Sequence, residues 1–251
     1  MQMTGNTILI TGGGSGIGRG WAEAFHALGN QVIIAGRRAD VLDQVVAANP
    51  GMARVVFDVE EAGALPGFVA RLVADHPGLN VLINNAGIMR AEDMLAKPYD
   101  LTDAEATVVT NLLGPIRLTA ALLPQLLAQP AATVLNVSSG LAFVPLAATP
   151  TYSATKAALH SWSQSLRYQL RQTSVQVIEV APPAVGTDLM PGSRGNPHAM
   201  ALPDYTAETM ALLAANPDAP EILVEAVKRL RFAEANQTYG AVFAMINPAG
   251  G

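Results

Sequence analysis

The fold is decided close to the N-terminus, by the stretch Thr7-Ile-Leu-Ile-Thr11-Gly-Gly-Gly-Ser-Gly-Ile-Gly18. Its first five residues are apolar or β-branched, which predicts a strand covered on both faces. A glycine-rich turn follows, and a helical stretch runs from about Arg19 to Leu28. Glycines let the backbone approach a pyrophosphate, and a helix N-terminus offers unpaired N–H groups. This order of strand, turn and helix predicts a dinucleotide site, although a tight turn without a ligand has the same order.

A second motif is Tyr152-Ser-Ala-Thr-Lys156, with Ser139 thirteen residues upstream of the tyrosine. Positions i and i+4 of a helix share one face, with Cβ atoms roughly 5–6 Å apart. A nearby cation favours the phenolate, so we expect Lys156 to lower the pKa of Tyr152 from its ordinary value of about 10. Tyrosine and lysine at this spacing also decorate plain solvated faces. The accompanying Ser139 favours the catalytic interpretation, because it adds a second donor for a substrate oxygen.

The glycine spacing in the first stretch is Gly-x-x-x-Gly-x-Gly. Together with Asn84-Asn-Ala-Gly87 and Asn111, the two motifs resemble the short-chain dehydrogenase/reductase family. The resemblance runs from about Thr7 to the C-terminus. It implies an oxidoreductase with a single α/β domain over residues 1–251. The implied architecture is a Rossmann-type, doubly wound parallel sheet of seven strands with helices on both faces.

By this resemblance, four residues carry the chemistry. Tyr152 is the general acid/base, Lys156 tunes it and holds the cofactor ribose, and Ser139 orients the substrate oxygen. Asn111 helps to position a water that links the lysine to solvent; a helix kink or a buried hydrogen bond is its structural alternative. Ser138 is expected to be a backbone-capping serine. Hydride addition to a carbonyl builds negative charge on oxygen, which donors placed there stabilise.

The resemblance also implies a nicotinamide cofactor site. Asp58 follows the third strand at the adenine-binding position, and residues 182–187 match the nicotinamide-binding segment, with Pro183 where glycine is common. Asp58 as a strand-end cap and Asn84 as a tie between loops are the structural alternatives. The implied cofactor-binding residues, besides two arginines discussed next, are Gly12, Gly14, Ser15, Gly16, Ile17, Gly18, Asp58, Val59, Asn85, Ala86, Gly87, Tyr152, Lys156, Pro182, Val185 and Thr187.

The second strand ends at Ala35-Gly-Arg-Arg38. An NAD site usually carries an acid about 20 residues past the glycine turn, whereas a nearby arginine accommodates the 2′-phosphate of NADP. Gly36 stands at that distance from Gly16 and has no carboxylate. We therefore predict NADP(H) in preference to NAD(H), with Arg37 as the main determinant. The alternative, two solvated arginines, applies more to Arg38 than to Arg37.

Composition narrows the classes of function. The chain has 251 residues, 50% of them hydrophobic, a net charge of −5 and no cysteine. The lack of a basic run disfavours a duplex nucleic-acid partner, and thiolate metal sites, disulfides and cysteine nucleophiles are excluded. No uninterrupted apolar stretch reaches the roughly 20 residues of a membrane span, and residues 1–6 lack the features of a signal peptide. We expect a cytoplasmic protein without a metal and without a membrane span.

Strand-like and helical stretches alternate along the chain, as in a doubly wound sheet. The predicted strands are Thr7–Thr11, Gln31–Ala35, Arg54–Phe57, Val81–Asn84, Thr133–Val137, Val175–Ala181 and Ala241–Ile246. The predicted helices are Arg19–Leu28, Ala39–Ala48, Ala62–Asp75, Asp103–Leu127, Tyr152–Arg171, Asp204–Ala214 and Pro220–Glu234. Residues Asp188–Pro203 are rich in glycine, proline and methionine, and predict an irregular loop within a substrate loop at about 188–215.

The residues that flank the catalytic motifs predict an apolar pocket, and hence a hydrophobic ketone, aldehyde or secondary alcohol as substrate. The predicted wall residues are Met89, Leu141, Phe143, Pro183 and Met190. Some of these fit a plain core role, Phe143 above all. Arg90, Arg194 and His198 are candidates to meet an anionic group, with solvated loop positions as the alternative.

Residues 212–221 resemble a bacterial subgroup of oxidoreductases named for a D-alanyl lipoteichoic acid operon, a name that identifies no substrate. The family resemblance also implies a homodimer or homotetramer built on the two long predicted helices, where Ala154, Ala157 and Ala158 permit close packing.

Two other functions compete with that of a hydride-transferring oxidoreductase. One is a cofactor-retaining epimerase or dehydratase, although such relatives are usually longer. The other is a non-catalytic NADP-sensing protein, which would typically lack the tyrosine or lysine found here.

Overall fold

A computed structural model describes residues 1–190 and 195–248. Its strands are β1 (Thr7–Thr11), β2 (Gln31–Gly36), β3 (Ala53–Val56), β4 (Leu79–Asn84), β5 (Ala132–Val137), β6 (Val175–Val180) and β7 (Glu221–Ile222). They form one sheet in the order β3-β2-β1-β4-β5-β6-β7, and each neighbouring pair is parallel. This confirms the predicted fold class.

The helices in the described part of the chain are α1 (Gly16–Ala27), α2 (Ala39–Ala48), α3 (Leu65–Asp75), α4 (Thr102–Val108), α5 (Gly114–Leu127), α6 (Pro150–Leu170), α7 (Leu202–Ala215), α8 (Lys228–Arg231) and α9 (Tyr239–Ile246). Helix α6 begins at Pro150, a residue suited to the first helical position because its missing N–H would have no partner there. The catalytic-motif residues Tyr152 and Lys156 therefore lie in the first two turns of this helix.

Two apolar layers cover the sheet. On one face, Trp21 and Phe25 of α1, with residues of α2 and α7, pack against alternate strand residues such as Ile8 and Ile10. On the other face, residues of α3, α5 and α6 pack against the strand residues in between, such as Leu9 and Ile33. Because both faces are covered, the strands read as continuous Val, Ile and Leu runs instead of alternating ones.

The C-terminal region differs from the prediction. The predicted strand Ala241–Ile246 is wrong, because these residues lie in helix α9. Its Val242 packs in a small cluster with Val144 and Ala233, away from the sheet. The predicted helix Pro220–Glu234 is also wrong in its first part, since Glu221–Ile222 pair with β6 as the seventh strand. A short apolar run fits both strand and helix, so only tertiary packing decides between them.

The predicted helix Asp103–Leu127 is present but irregular. Helices α4 and α5 are joined by a π-helical turn over Val109–Leu113. The combined helix Thr102–Leu127 is long and apolar enough to cross a membrane by length and composition, a test that a buried core helix also passes. Leu118, Leu122 and Leu126 on its α5 part are buried against the sheet.

The predicted loop Asp188–Pro203 is closed at its base by a short bridge. Val185 pairs with Met200, and Gly186 N donates to Met200 O at 2.9 Å. Helix α7 then begins at Leu202, two residues before the predicted start. Arg194 lies outside the described residues.

Candidate active site

A single cavity of about 1270 Å³ lies along the carboxyl ends of the strands. The sheet runs outward in both directions from the neighbours β1 and β4, and such a switch point leaves a crevice for ligands at the strand ends. The cavity extends from Arg37 and Arg38 at one end to Met245 and Ile246 at the other, with the glycine turn and Tyr152 between them. All of the predicted cofactor and catalytic residues line it except Gly18 and Asn111.

The glycine turn requires glycine at particular positions. Gly12 and Gly16 have φ values of +67° and +53°, in the left-handed region that other residues rarely adopt. Gly18 is buried beneath the turn, and a Cβ atom there would lie 2.4 Å from Asn85 Nδ2 and from Gly12 O. The turn is therefore tied closely to the loop after β4, and Gly18 contributes by permitting this approach.

The turn also fits the pyrophosphate of a dinucleotide. Helix α1 begins at Gly16, and its first turn contains no acidic residue. Ser15, its N-cap residue, is exposed and makes no capping hydrogen bond with the described residues. The first N–H groups of the helix and its partial positive charge thus face the cavity, an arrangement suited to an anion. Gly12, Gly14, Ser15, Gly16 and Ile17 would hold that group.

The far end of the cavity carries two exposed arginines. The Arg37 guanidinium lies 3.4 Å from Glu60 Oε1 and 3.8 Å from Asp58 Oδ2, and 56% of its side chain is exposed. Arg38, the residue before α2, makes no ion pair within the described ranges 1–190 and 195–248. Glu60 is a lining residue that the sequence reasoning missed, and it also accepts a hydrogen bond from Thr110 Oγ1.

The asparagines after β4 hold the site together. Asn84 is buried and donates to Thr119 Oγ1 at 3.0 Å and to Asn136 Oδ1 at 2.9 Å, so it ties β4 to its neighbours. Asn85 donates through Nδ2 to Thr11 O at 2.9 Å. The loop 85–87 is thus fixed against the end of β1, where Ala86 and Gly87 line the cavity.

Tyr152 and Ser139 meet at the middle of the cavity. Tyr152 is 6% exposed, and burial raises its pKa from the ordinary 10.0 to about 12, opposed by a hydrogen-bonding interaction with Ser139. The Ser139 hydroxyl also accepts from Leu141 N at 3.1 Å, which orients it at the start of a short 3₁₀ turn. The pKa of the phenol therefore lies above its ordinary value, not below it as the spacing with Lys156 predicts, and the tyrosine holds its proton at neutral pH.

Lys156 is a buried cation. It is 4% exposed, and its Nζ donates to Val137 O at 2.8 Å and lies 5.6 Å from the centroid of the Tyr152 ring. Burial lowers its pKa from 10.5 to about 8, while the charge of Glu179 acts in the opposite direction. The ammonium therefore stays charged near neutral pH beside the phenol.

Asn111 lies in the π-helical turn and is fully buried. Its Oδ1 accepts from Ile88 N at 2.8 Å, and its Nδ2 donates to Ile88 O at 2.8 Å. A Cβ on Gly87 would lie 3.2 Å from Asn111 Oδ1 and 3.7 Å from Lys156 Nζ. The amide therefore fixes the loop that faces Lys156, and both structural alternatives, the irregular helix and the buried hydrogen bond, are present.

The segment after β6 covers the middle of the cavity. Pro182 O accepts from Gly140 N at 2.8 Å, which ties this segment to the turn that holds Ser139. Val185 and Thr187 are buried, and the Thr187 methyl lies 3.4 Å from the position of a Cβ on Gly16. Pro182, Pro183, Val185 and Thr187 all line the cavity, as predicted.

Four of the five predicted wall residues line the cavity, namely Met89, Leu141, Pro183 and Met190. Phe143 does not; its ring packs edge-on against His160, with centroids 4.8 Å apart. Sequence reasoning missed a further wall formed by Ala226, Arg229, Leu230, Met245 and Ile246. Asn247 fixes this wall, because its Nδ2 donates to Pro145 O at 3.1 Å and its Oδ1 accepts from Ala147 N at 2.6 Å. Because residues 241–246 were predicted to form a strand of the sheet, Met245 and Ile246 were not predicted to line the pocket.

Comparison with known proteins now decides the family. Residues 6–197 match the family model described as short chain dehydrogenase. The chain belongs to this family. It is 44% identical over 194 residues, 77% of each chain, to the uncharacterized oxidoreductase DltE of Bacillus subtilis. The predicted family and the resemblance to the DltE-like subgroup are thereby confirmed.

Solved structures of the short-chain dehydrogenase family share the fold over the whole chain. One from Burkholderia cenocepacia, in complex with NADP, is 26% identical with a TM-score of 0.82, covering 98% of this chain and 99% of that one. Another from Burkholderia phymatum, in complex with NAD, is 21% identical with a TM-score of 0.80, covering 100% and 99%. Neighbours of the same fold thus bind either cofactor.

Proposed function

We propose that this short-chain dehydrogenase is an NADP(H)-dependent oxidoreductase that transfers hydride between the nicotinamide and a hydrophobic ketone, aldehyde or secondary alcohol. One observation carries the proposal. A single cavity joins an anion-binding glycine turn to the buried Ser139, Tyr152 and Lys156. A dinucleotide and a small second substrate fit such an arrangement together.

The residues have the properties that the reaction needs. When bound, the nicotinamide supplies or accepts the hydride. Tyr152 keeps its proton at neutral pH, as a phenol of ordinary pKa also would. Because burial raises its pKa to about 12 and so makes it a weaker acid, the charge of Lys156 and the hydrogen bond to Ser139 are needed to stabilise the phenolate that forms when it donates this proton to a carbonyl oxygen. Ser139 supplies a second hydrogen bond to the same oxygen. Lys156 adds positive charge where negative charge develops, and stabilisation of this kind is worth more in a site from which water is excluded.

Support for the substrate class comes from the two apolar walls. Met89, Leu141 and Pro183 form one, and Met245 and Ile246 form another. Such walls favour an apolar body around the reacting oxygen, while Arg90, His198 and Arg229 also line the cavity and offer polar contacts to other parts of a substrate.

Support for NADP(H) comes from the arginines at the far end. Gly36 offers no carboxylate to a ribose 2′-hydroxyl, and both Arg37 and Arg38 line the cavity. Guanidinium groups bind phosphate through charge-assisted hydrogen bonds. Asp58 and Glu60 hold Arg37 in place, and they also compete with a phosphate for it.

The deciding experiment follows oxidation of NADPH, with NADH in parallel, across aromatic, cyclic and aliphatic ketones and aldehydes. Secondary alcohols with NADP⁺ and NAD⁺ test the reverse direction. We expect turnover of apolar carbonyls with a clear preference for NADPH. Tyr152→Phe purified in the same way serves as the control for contaminating reductases. Binding of NADPH without turnover of any of these substrates would count against the proposal, and equal efficiency with both cofactors would overturn the NADP(H) preference.

We also propose a cytoplasmic homodimer or homotetramer. Ala154 and Ala157 are exposed on α6, and Tyr168 on the same helix is 67% exposed, so this helix presents a surface that permits close packing with a second copy. Light scattering coupled to size-exclusion chromatography measures the mass in solution, and a monomer at micromolar concentration would contradict the assembly. Cell fractionation tests the location.

A further inference from the structure

Glu179, in β6, is a buried carboxylate that the proposed reaction does not use. It is 1% exposed. Its Oε1 accepts a hydrogen bond from Ser138 Oγ at 2.5 Å, and its Oε2 lies 2.7 Å from His160 Nδ1. A buried charge is costly unless it is paired and hydrogen-bonded. Two donors therefore hold this carboxylate directly behind the catalytic serine.

His160 orients the carboxylate. It follows Lys156 by four residues on α6, as Lys156 follows Tyr152, so the three side chains share one face. Its Nε2 faces Gln164 Nε2 at 3.1 Å, and an amide nitrogen can only donate. These partners assign the proton to Nδ1, which donates to Glu179.

A second acid lies on the outer side of the imidazole. Glu221 Oε1 is 3.8 Å from His160 Nδ1, and Arg231 holds Glu221 through two hydrogen bonds of 3.1 Å. His160, Glu179 and Glu221 place their ligand atoms within 4.8 Å of one another, a spacing that a metal ion would accept. Each carboxylate already has its own donor, however, so the cluster is satisfied as a hydrogen-bonded network.

This network reaches the reacting groups at two points. Ser138, its inner member, directly precedes Ser139, and Ser138 N donates to Val180 O at 2.9 Å. Lys156 and Glu179 also bind consecutive residues, since Lys156 Nζ donates to Val137 O at 2.8 Å and Glu179 accepts from Ser138 Oγ. At this short range the charge of Glu179 raises the pKa of Lys156, opposing the effect of burial. A carboxylate at this place therefore acts on the orientation of the serine and on the charge of the lysine.

We propose that Glu179, oriented by His160, is a positioning residue that fixes the Ser138–Ser139 turn and keeps Lys156 cationic. This role rests on the proposed oxidoreductase function. The ionisable groups that contact Glu179 or its immediate partners are Lys156 and His160 on α6, Glu221 on β7 and Arg231 on α8, with Arg167 of α6 bound to the backbone of β6. Arg167 donates to Val177 O and Pro220 O, and Arg231 is paired with Glu221, so neither neutralises Glu179.

The test is the pH dependence of carbonyl reduction in Glu179→Gln. The neutral amide keeps the shape but lacks the charge, so Lys156 should lose its proton at lower pH. We expect the alkaline limb of kcat/KM to move to lower pH by roughly one pH unit, at the lower end of what a nearby opposite charge does. Glu179→Asp keeps the charge, so the pH at which its kcat/KM falls on the alkaline side should stay close to that of the wild type.

Glu221→Gln is the matched control. It removes a carboxylate that faces the same imidazole but has no hydrogen bond to Ser138, so the limb should stay where it is in the wild type. A Glu179→Gln profile that is lower at every pH but has an unmoved limb would show a merely structural role and overturn the proposal.

A second pair of variants covers a failure of Glu179→Gln to fold. His160→Ala removes the donor to Glu179, whereas His160→Asn places an amide near the position of Nδ1. We expect the alkaline limb to move only in His160→Ala, and equal limbs in both variants would contradict the inference.

NADPH binding, followed by cofactor fluorescence from pH 6 to 10, gives a readout without turnover. As the pH rises, binding should begin to weaken at a lower pH in the variants that move the limb than in the wild type. If the wild type binds NADPH but turns over nothing, the proposed function fails while this binding series still tests Glu179.

Discussion

The stretch of the cavity between Arg37 and Lys156 carries the same kinds of charge at its two ends, in opposite surroundings. At the reactive end, Lys156 and Glu179 are 4% and 1% exposed. At the arginine end, 56% of the Arg37 side chain is exposed, and its two partner carboxylates are 28% (Asp58) and 29% (Glu60) exposed. Charges of both signs face each other at each end, and only the access of water differs.

This difference separates two tasks. In a buried site of low effective dielectric, each charge interacts strongly with its neighbours and shifts their pKa values. Exposed ion pairs contribute little because water and salt screen them. Under the proposed function, the reactive end sets the rate of hydride transfer, and the arginine end chooses between two similar cofactors.

Tyr152→Phe removes the phenol that lies beside Ser139 at the reactive end. We expect the rate of carbonyl reduction to fall by about 10²–10⁴-fold, the usual contribution of a positioned proton donor. Binding of NADPH, measured by fluorescence titration, should stay within about threefold of the wild type, since the ring remains. A variant that still turns over at more than a tenth of the wild-type rate would remove Tyr152 from the chemistry.

Gly18→Ala tests the turn between the two ends. The new Cβ would lie 2.4 Å from Asn85 Nδ2 and Gly12 O, so the turn must shift. We expect a loss of about 1–3 kcal/mol in the free energy of unfolding, as for other overpacked sites, together with weaker NADPH binding. Gly67→Ala in α3 is the matched control, because the nearest atom to its Cβ is Arg71 Nη1 at 3.6 Å; that helix should gain up to about 1 kcal/mol. Equal melting temperatures for the two variants would refute the close approach.

Arg37→Ala tests the solvated end. We expect the ratio of kcat/KM for NADPH over NADH to fall about tenfold, or about 1.4 kcal/mol, with a smaller change in Arg38→Ala. Glu60→Gln removes a carboxylate 3.4 Å from the Arg37 guanidinium, so it should raise the same ratio. If Arg37→Ala leaves the ratio unchanged, the cofactor preference does not come from this residue.

Lys156→Met tests what burial costs at the reactive end. A pKa lowered from 10.5 to about 8 means that burying the ammonium costs roughly 3 kcal/mol at pH 7. The variant loses the hydrogen bond to Val137 O, worth about 1–2 kcal/mol, so it should be inactive yet more stable by roughly 1 kcal/mol. For a chain of this size, that gain corresponds to a melting temperature about 2–4 °C higher.

The sign of the pH dependence follows from the same shift. The folded state holds the Lys156 proton more weakly than the unfolded state does. The free-energy cost of burying the ammonium is therefore fully present below pH 8 and disappears as the pH rises towards 10.5. The stability advantage of Lys156→Met should therefore shrink between pH 8 and 10.5 in urea titrations. An advantage that is constant across this range would show that packing, not charge, is responsible.

The sequence predicts those parts of the structure whose conformation is set locally. Gly12 and Gly16 predict their turn because few other residues adopt positive φ, and the buried runs such as Thr7–Thr11 predict their strands through continuous apolar composition. The i,i+4 spacing places Tyr152 and Lys156 on one face of α6. The pKa of Tyr152 could not be predicted in the same way, because its rise comes from burial by the whole fold.

The rest depends on packing between distant segments. Residues 241–246 are apolar throughout, so no periodicity separates strand from helix, and the contacts of Val242 with Val144 and Ala233 decide. Phe143 is an aromatic residue close to the catalytic motif in the sequence, as a pocket wall would be, but Arg231, 88 positions later, lies over its ring at 4.6 Å. Glu179 escaped notice for the same reason, since its partners lie on a neighbouring strand end and on a helix.

The π-helical turn at Val109–Leu113 has a consequence for how the chain tolerates changes in length. Such a turn holds one residue more than an α-helical turn, and the wider turn absorbs that residue, so the segments on either side keep their faces. Deleting one residue within Val109–Leu113 would therefore restore a regular helix without turning the buried Thr107 towards solvent, but it would remove the widened turn in which Asn111 bonds Ile88. Inserting a residue elsewhere between α4 and α5 would instead rotate one relative to the other by about 100°. At this point the number of residues matters as much as their identity.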